Sequence, residues 1–313
     1  MITNKSKTVF ITGANGFIGA NLTRLLIKNK FDVNILVRSN SNLSKLKDVL
    51  KDISLHTGDI NDEKTLKKII RKVSPQYIFH LASYGNSSED ALLNEMININ
   101  ILGLKNLLEA TSDINYKSFI ITGSSSEYGF KNKPMRETDT LEPNSYYSAT
   151  KASATLIAQS FALLNNKPIA IARLFSVYGP YEENNRLIPT VIRLALKDKE
   201  IFLTPGKVQR DFIFIDDVAN ALLKMAKSKL RNGEVINLGT AKQYGNNDIV
   251  KTVEKILHKK LKVKMGKFPK RAWDTNYWVS NNQKAKKLLS WQPKFSLEEG
   301  LKKTIEWTKT NEN

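Results

Sequence analysis

The stretch Tyr147-Ser148-Ala149-Thr150-Lys151 sets a phenol and an ammonium four residues apart. On a helix this spacing stacks the two side chains on one face. An ammonium beside a phenol favours the phenolate, so Tyr147 could exchange a proton with a hydroxyl or carbonyl group well below its free pKa of about 10. Ser124 ends an apolar run in Ile121-Thr122-Gly123-Ser124, a place from which its hydroxyl would hydrogen-bond the same reacting oxygen. Tyr-x-x-x-Lys alone recurs by chance in many helices. The ordered set of a strand-end serine followed by the Tyr/Lys pair does not.

A second cluster lies near the start of the chain. Gly13, Gly16 and Gly19 form a GxxGxxG turn that also holds Asn15, Phe17 and Ile18. Glycines there let the backbone approach a pyrophosphate, and the following helix offers unpaired N–H groups and the positive end of its dipole. All of these residues are expected at a dinucleotide. The end of the second strand decides which one: an acid there holds a ribose 2′-hydroxyl, whereas an arginine accommodates a 2′-phosphate. Asp32 precedes that strand, and the strand closes on Val37-Arg38-Ser39-Asn40. A guanidinium fork fits phosphate and Ser39 can add a hydrogen bond, so NADP(H) is expected in preference to NAD. Asp59, followed by Ile60, comes after the third strand and suits either an adenine edge or a turn.

The elements that must carry these residues alternate. Residues 8–12, 33–37, 77–81, 118–122 and 169–174 read as strands, and 17–28, 63–72, 94–110 and 146–164 as helices. Parallel crossovers of that length make an α/β fold, a doubly wound parallel Rossmann sheet. After Gly179 the prolines at 180, 189, 205, 269 and 293 punctuate shorter elements. A smaller α/β C-terminal substrate lobe is expected there. The chain divides into 1–175 and 176–313, with 233–240 returning to the sheet as one more strand.

Composition narrows the partners. With 41% hydrophobic and 25% charged residues in 313, the chain is an ordinary globular protein with a large core. No apolar run approaches the ~20 residues of a membrane span, and no signal-peptide pattern opens the sequence, so a cytoplasmic location is expected. There is no cysteine, and His56, His80 and His258 show no metal-ligand spacing, so no metal is expected. The net charge of +19 invites nucleic acid, yet the lysines scatter over solvent faces without interleaved aromatics. That positive potential suits gathering a small anionic substrate.

Together the phosphate turn, Ser124 and the Tyr147/Lys151 pair resemble the extended short-chain dehydrogenase/reductase superfamily, in its nucleotide-sugar epimerase, dehydratase and reductase branch. The likeness runs from the glycine turn to the segment around Trp307. It implies a catalytic triad of Ser124, Tyr147 and Lys151, with Tyr147 and Lys151 also at the nicotinamide ribose. Leu81, Ala82 and Ser83 look like the strand end beside the cofactor, and Asn100 matches a helix asparagine of the family. For His80 a structural role is expected. Arg210, Arg271 and Asp274 stand as the family's diphosphate arginines and ribose acid do, the alternative for Arg210 being an ion pair with Asp211 or Asp216. Tyr84, Ser125 and Ser176 are expected against the sugar ring of a nucleotide-diphosphate sugar.

Three departures shape the functional expectation. Ser176 stands where the family often has asparagine, and Asn281 or Asn282 where it has an acid. The 4,6-dehydratases carry an Asp-Glu pair directly after the catalytic Ser/Thr, whereas here Ser125 and Ser126 follow and Glu127 comes one residue later. Dehydration is therefore not expected. Arg38 points to the group that consumes NADPH, so the expected activity is NADPH-dependent reduction of a nucleotide-linked 4-keto-6-deoxy sugar for a bacterial surface polysaccharide. An NAD(P)-dependent nucleotide-sugar 4-epimerase is the alternative, and a catalytically silent nucleotide-sensing protein the third reading. Small residues along 146–164 (Ala149, Ala152, Ser153, Ala154, Ala158) would allow close helix packing in a homodimer.

Overall fold

The computed structural model describes residues 7–85, 92–204, 208–267 and 274–311. Strands β1 (Lys7–Thr12), β2 (Phe31–Val37), β3 (Ile53–Thr57), β4 (Tyr77–His80), β5 (Ser118–Ser124) and β6 (Ile169–Leu174) alternate with helices α1 (Phe17–Lys28), α2 (Glu63–Val73), α3 (Leu93–Ile97), α4 (Gly103–Ala110) and α5 (Tyr146–Leu164). The rest of the chain runs β7 (Ser176–Tyr178), α6 (Leu187–Leu196), β8 (Ile201–Leu203), β9 (Gln209–Arg210), β10 (Phe212–Phe214), α7 (Ile215–Lys227), β11 (Glu234–Leu238), β12 (Tyr244–Gly245), α8 (Asn246–Leu257), β13 (Val263–Met265), α9 (Gln283–Leu289) and α10 (Leu297–Asn311).

Seven strands form one parallel sheet in the order β11-β6-β5-β4-β1-β2-β3. The chain leaves β1 in one direction through β2 and β3, then crosses to β4 and continues the other way. This reversal opens a crevice beyond the strand ends at β1 and β4, where ligands of doubly wound sheets bind. Strands β4 and β6 are buried along their whole length, which is why they read as unbroken apolar runs rather than alternating ones.

Period-two alternation sends Val9 and Ile11 to one face of the sheet and Phe10 to the other. On the first face a single apolar cluster continues from Ile35 and Phe79 through Val191, Ile213 and Leu222 to Ile249. The second face packs Ile78, Phe119 and Ile171 with residues of α2, α4 and α5. The core therefore has no break at 175/176. β11 returns to the sheet beside β6 as expected, and α7 also comes back to pack on α1 and β5. The two lobes share one hydrophobic interior. Among the described residues no helix is long and apolar enough to cross a membrane.

The expected single helix over 94–110 is instead α3, a π-helical turn at Asn98–Leu102, and α4. The widened turn holds the buried Asn100, and such turns mark places where a helix is bent to serve a site. Gly19 shows how tightly the site's other edge is drawn. A β-carbon there would strike the carbonyl oxygen of Gly13 and approach Ala14 Cα to 2.6 Å. Gly19→Ala is accordingly expected to lower stability by about 1–3 kcal/mol in a urea melt, as overpacking does, and to weaken dinucleotide binding. An unchanged midpoint would show that α1 can move away from β1 at no cost.

Candidate active site

The phosphate turn leaves β1 at Gly13, whose φ of +74° and whose contact with the next strand both require glycine. A β-carbon on it would lie 2.5 Å from Ala82 N. Gly16 caps α1 without any side-chain hydrogen bond, and no acid sits in the first helical turn. The first N–H groups thus remain available to an anion. A β-carbon on Gly16 would meet only Gly13 O, at 3.3 Å, so the turn is open on its outer side. These features fit the pyrophosphate of a dinucleotide. Asn15 donates to Asn42 O (3.3 Å) and ties the turn to the loop after β2, while Phe17 and Ile18 pack back onto the core.

At the C-terminal end of β2 the structure places Arg38 and Ser39 in solvent, with Arg38 N donating to Ser41 Oγ (2.9 Å). Asp32 lies at the opposite end of the strand, accepting from Thr8 Oγ1 at 3.3 Å. The strand end facing the crevice therefore carries a cation and no acid. Asp59 Oδ1 accepts from Asn61 N (2.8 Å), which makes it a turn residue, and Ile60 is buried against Gly103.

Helix α5 starts at a reciprocal cap: Ser145 Oγ accepts from Ser148 N (3.1 Å) and Ser145 N donates to Ser148 Oγ (2.9 Å). This start fixes Tyr147 in the first turn, with Lys151 one turn further in. Lys151 is buried and donates to Thr122 O at 2.6 Å. Burial pulls its ammonium down to about 8, and the charge of Glu127 holds it up against that pull. Tyr147 departs from the sequence-based expectation. Burial pushes its phenol above the ordinary value, and the hydroxyls of Ser83 and Ser124 beside it pull back. The ammonium donates to the backbone of β5, and burial of the phenol outweighs the lowering that was expected for it. Tyr147 is a neutral phenol at neutral pH, ringed by Ser83 and Ser124.

His80 lies beneath this group and is structural, as expected. Its Nδ1 shares a 2.7 Å hydrogen bond with Thr12 Oγ1, and burial together with the Lys151 charge lowers it to about 3. Asn100 ties the loop after β4 to α5. It accepts from Tyr84 N (2.8 Å) and donates to Tyr84 O and Thr150 Oγ1 (both 3.0 Å). Its side chain fixes the loop that carries Ser83 and Tyr84 to α5.

On the substrate side, Arg210 and Asp274 pair with each other (3.1 Å), and the guanidinium lies over the Trp278 ring at 5.4 Å. Neither alternative partner takes Arg210's place. Asp211 is buried beneath Thr240, Ala241 and Ser280, which donate five hydrogen bonds to it, and Asp216 lies near Lys28 and Lys303. Trp278 Nε1 donates to Ser125 Oγ at 3.0 Å, so Ser125, expected against the sugar, is buried and joins the second lobe to the catalytic turn. Ser176 is half-buried and anchored by its N–H on Asp211 O (3.0 Å). Asn281 and Asn282 serve the turn before α9, Asn282 donating to Gly239 O (3.2 Å) and Asn281 accepting from Gln283 N (3.1 Å). Arg271 lies outside the described residues.

Several functional residues escaped the sequence reading. Trp278 carried no signal beyond its type. Glu127 points inward to Arg173 (2.8 Å), away from the crevice, in keeping with the expectation against dehydration. Arg186, in the segment after Gly179, lies close enough for its charge to act on Tyr147. Burial raises Glu182 to about 8, and the Arg186 charge acts downward on both Glu182 and Tyr147.

The profile of the NAD dependent epimerase/dehydratase family matches residues 9–239. The UDP-glucuronate 4-epimerase of Thermodesulfobacterium geofontis is 32% identical over 318 aligned positions, covering 96% of both chains. Among solved structures, the UDP-glucose 4-epimerase of Thermotoga maritima with UDP-glucose superposes with a TM-score of 0.88 at 28% identity, over 98% of this chain and 100% of that one. The UDP-glucuronic acid 4-epimerase of Bacillus cereus, in complex with UDP-glucuronic acid and NAD, gives 0.87 at 27% identity, over 97% and 99%.

His80 generates a pH prediction. The unfolded chain protonates this imidazole near 6.5 and the native chain only near about 3, so acidification through that window favours unfolding. Urea midpoints are expected to fall more steeply between neutral pH and about pH 4 in the wild type than in His80→Gln. Parallel profiles would show that the imidazole is not buried neutral.

Proposed function

The chain belongs to the NAD dependent epimerase/dehydratase family, and from that premise we propose that it is a nicotinamide-dependent 4-epimerase of a UDP-linked sugar. The observation that carries the reading is the convergence of Ser83 and Ser124 on the Tyr147 hydroxyl, over a buried Lys151 and next to an open phosphate turn. The substrate class follows the relatives, whose names and bound ligands are UDP-sugars.

The residues that would hold the dinucleotide are Gly13, Gly16 and the start of α1 at the phosphates, the Leu81–Ser83 segment at the strand end, and Lys151 at the ribose. Once bound, an oxidised nicotinamide supplies a hydride acceptor and later a donor for C4, and a positive charge that favours the phenolate. Tyr147 takes the proton of the C4 hydroxyl and later returns it to the C4 oxygen, after the ring has turned to present its opposite face, while Ser124 donates to the same oxygen. Arg210 binds the diphosphate, its fork suited to phosphate oxygens, so the sugar can present either face without leaving. The inward-facing Glu127 leaves no acid where a dehydratase needs one.

Arg38 supports a second reading. With Ser39 it suits a 2′-phosphate, and through NADPH it suits reduction of a 4-keto-6-deoxy sugar nucleotide, whereas the solved B. cereus relative holds NAD. A homodimer is proposed as well. Tyr146, Leu156, Leu163 and Leu164 are exposed on α5, and Leu93 and Leu102 on the neighbouring α3 and π-helical turn.

The wild type, given UDP-glucuronate with NAD or NADP, is expected to equilibrate the C4 epimers without net change in the cofactor. Tyr147→Phe should fold and retain nucleotide binding while losing about 10²–10⁴-fold in turnover. Turnover near wild type in that variant contradicts the assignment, and stoichiometric NADPH oxidation with a 4-keto sugar would replace it with the reductase. For the dimer, sedimentation equilibrium should give twice the chain mass. A monomer at micromolar concentration removes that proposal.

A further inference from the structure

We propose that Glu127 is a positioning residue: one buried carboxylate, paired with Arg173 beneath the catalytic turn, that fixes the backbone of Ser124 and supplies the negative charge opposite Lys151. The inference rests on the reading of Ser124, Tyr147 and Lys151 as the catalytic group.

Glu127 is wholly buried, accepts three hydrogen bonds and closes an ion pair with Arg173. Its Oε1 takes the N–H of Ser124 at 2.6 Å. Its Oε2 takes Thr155 Oγ1 (2.9 Å) and the Arg173 guanidinium through Nε (3.0 Å) and Nη2 (2.8 Å). Ser124 Oγ in turn accepts from Ser126 N (3.2 Å), so the serine is held from both its backbone and its side chain. The residue before it is fitted to the same carboxylate: a β-carbon on Gly123 would lie 2.6 Å from Oε1. Arg173 is equally buried and is steadied by the Tyr128 ring at 4.4 Å, while Tyr128 OH donates to Asn237 Oδ1 at 2.7 Å.

A pair of this kind is a poor device for stability alone, because desolvating two charges costs about as much as their attraction returns, and an apolar pair of the same volume packs as well. Its position gives it another use. The titratable groups around Lys151 are His80 from β4, Tyr147 from its own helix and Glu127 from the turn after β5, with Arg173 behind Glu127 on β6. His80 is neutral and burial keeps Tyr147 a phenol. Glu127 is therefore the group whose charge keeps Lys151 protonated against burial, and it also biases Tyr147 toward the neutral phenol. One carboxylate acts on all three members of the catalytic group.

The test separates charge from shape. Trace acetylation of Lys151 against pH, read by mass spectrometry on the nucleotide-free protein, should give a midpoint near about 8 in the wild type. In E127Q the midpoint should fall, and kcat should drop about 10- to 100-fold with KM little changed and its alkaline limb moved to lower pH in step. E127D keeps the charge but draws the carboxylate back from Ser124 N, so kcat should fall while the Lys151 midpoint stays. Because E127Q leaves Arg173 without its partner, the double variant E127Q/R173M is run beside it, with a thermal melt to establish folding, and should show the same lowered midpoint. Unchanged midpoints and unchanged pH profiles in both folded variants overturn the proposal and reduce Glu127 to packing. A wild type that turns over no UDP-sugar, while E127Q still lowers the Lys151 midpoint, sinks the 4-epimerase reading and leaves the coupling standing.

Discussion

The structure is organised around the cost of burying one ammonium. Lys151 is 4% exposed, and a charge withdrawn from water to that extent must be matched by hydrogen bonds and an opposite charge. Thr122 O meets it directly, from the strand that ends in Ser124. Glu127 meets it electrostatically and then needs Arg173, which in turn needs the face of Tyr128. The placement of β5, α5, β6 and the turn between them is thus one connected solution to a single desolvation problem. The same solution leaves Ser124 and Tyr147 side by side at the edge of the sheet.

The second lobe is tied to that arrangement by polar contacts that a continuous apolar core would not specify. Trp278 reaches from the Arg210/Asp274 pair to Ser125, and Asp211 gathers Thr240, Ala241 and Ser280 around a buried carboxylate. Ser176, on β7, hangs from the carbonyl of the same Asp211. A ligand that engages Arg210 therefore acts on a guanidinium stacked on the tryptophan that touches the catalytic turn. An anion held at Arg210 and the catalytic turn would share one set of contacts.

Much of the frame was legible in the sequence because it follows from periodicity and backbone chemistry. The bounds of α1, α5 and β6 coincide with the apolar spacing, and the return of β11 showed as a short buried run flanked by glycines. The glycine turn was legible because no other residue type fits it. What escaped were interactions between residues distant in the chain. Nothing near Tyr147 announces how fully its phenol would be buried, and burial reversed the expected lowering into a rise. The hydrogen bond to Ser125 from Trp278, 153 positions away, has no local signature. Asn100 sits in a π-helical turn that apolar spacing does not reveal. Arg38 is the reverse case: its position at the strand end was read correctly, but the choice between NAD and NADP depends on a phosphate the protein alone does not display.

In the proposed 4-epimerase reaction, C4 of a UDP-sugar is inverted by removing and returning its own hydrogen while Tyr147 handles the hydroxyl proton. The most direct measurement is to supply UDP-glucuronate deuterated at C4, in ordinary water with catalytic cofactor, and locate the deuterium in the product by NMR. The account predicts an inverted product that keeps deuterium at C4. Loss of that label to solvent, or an uninverted sugar with the cofactor consumed, would contradict it.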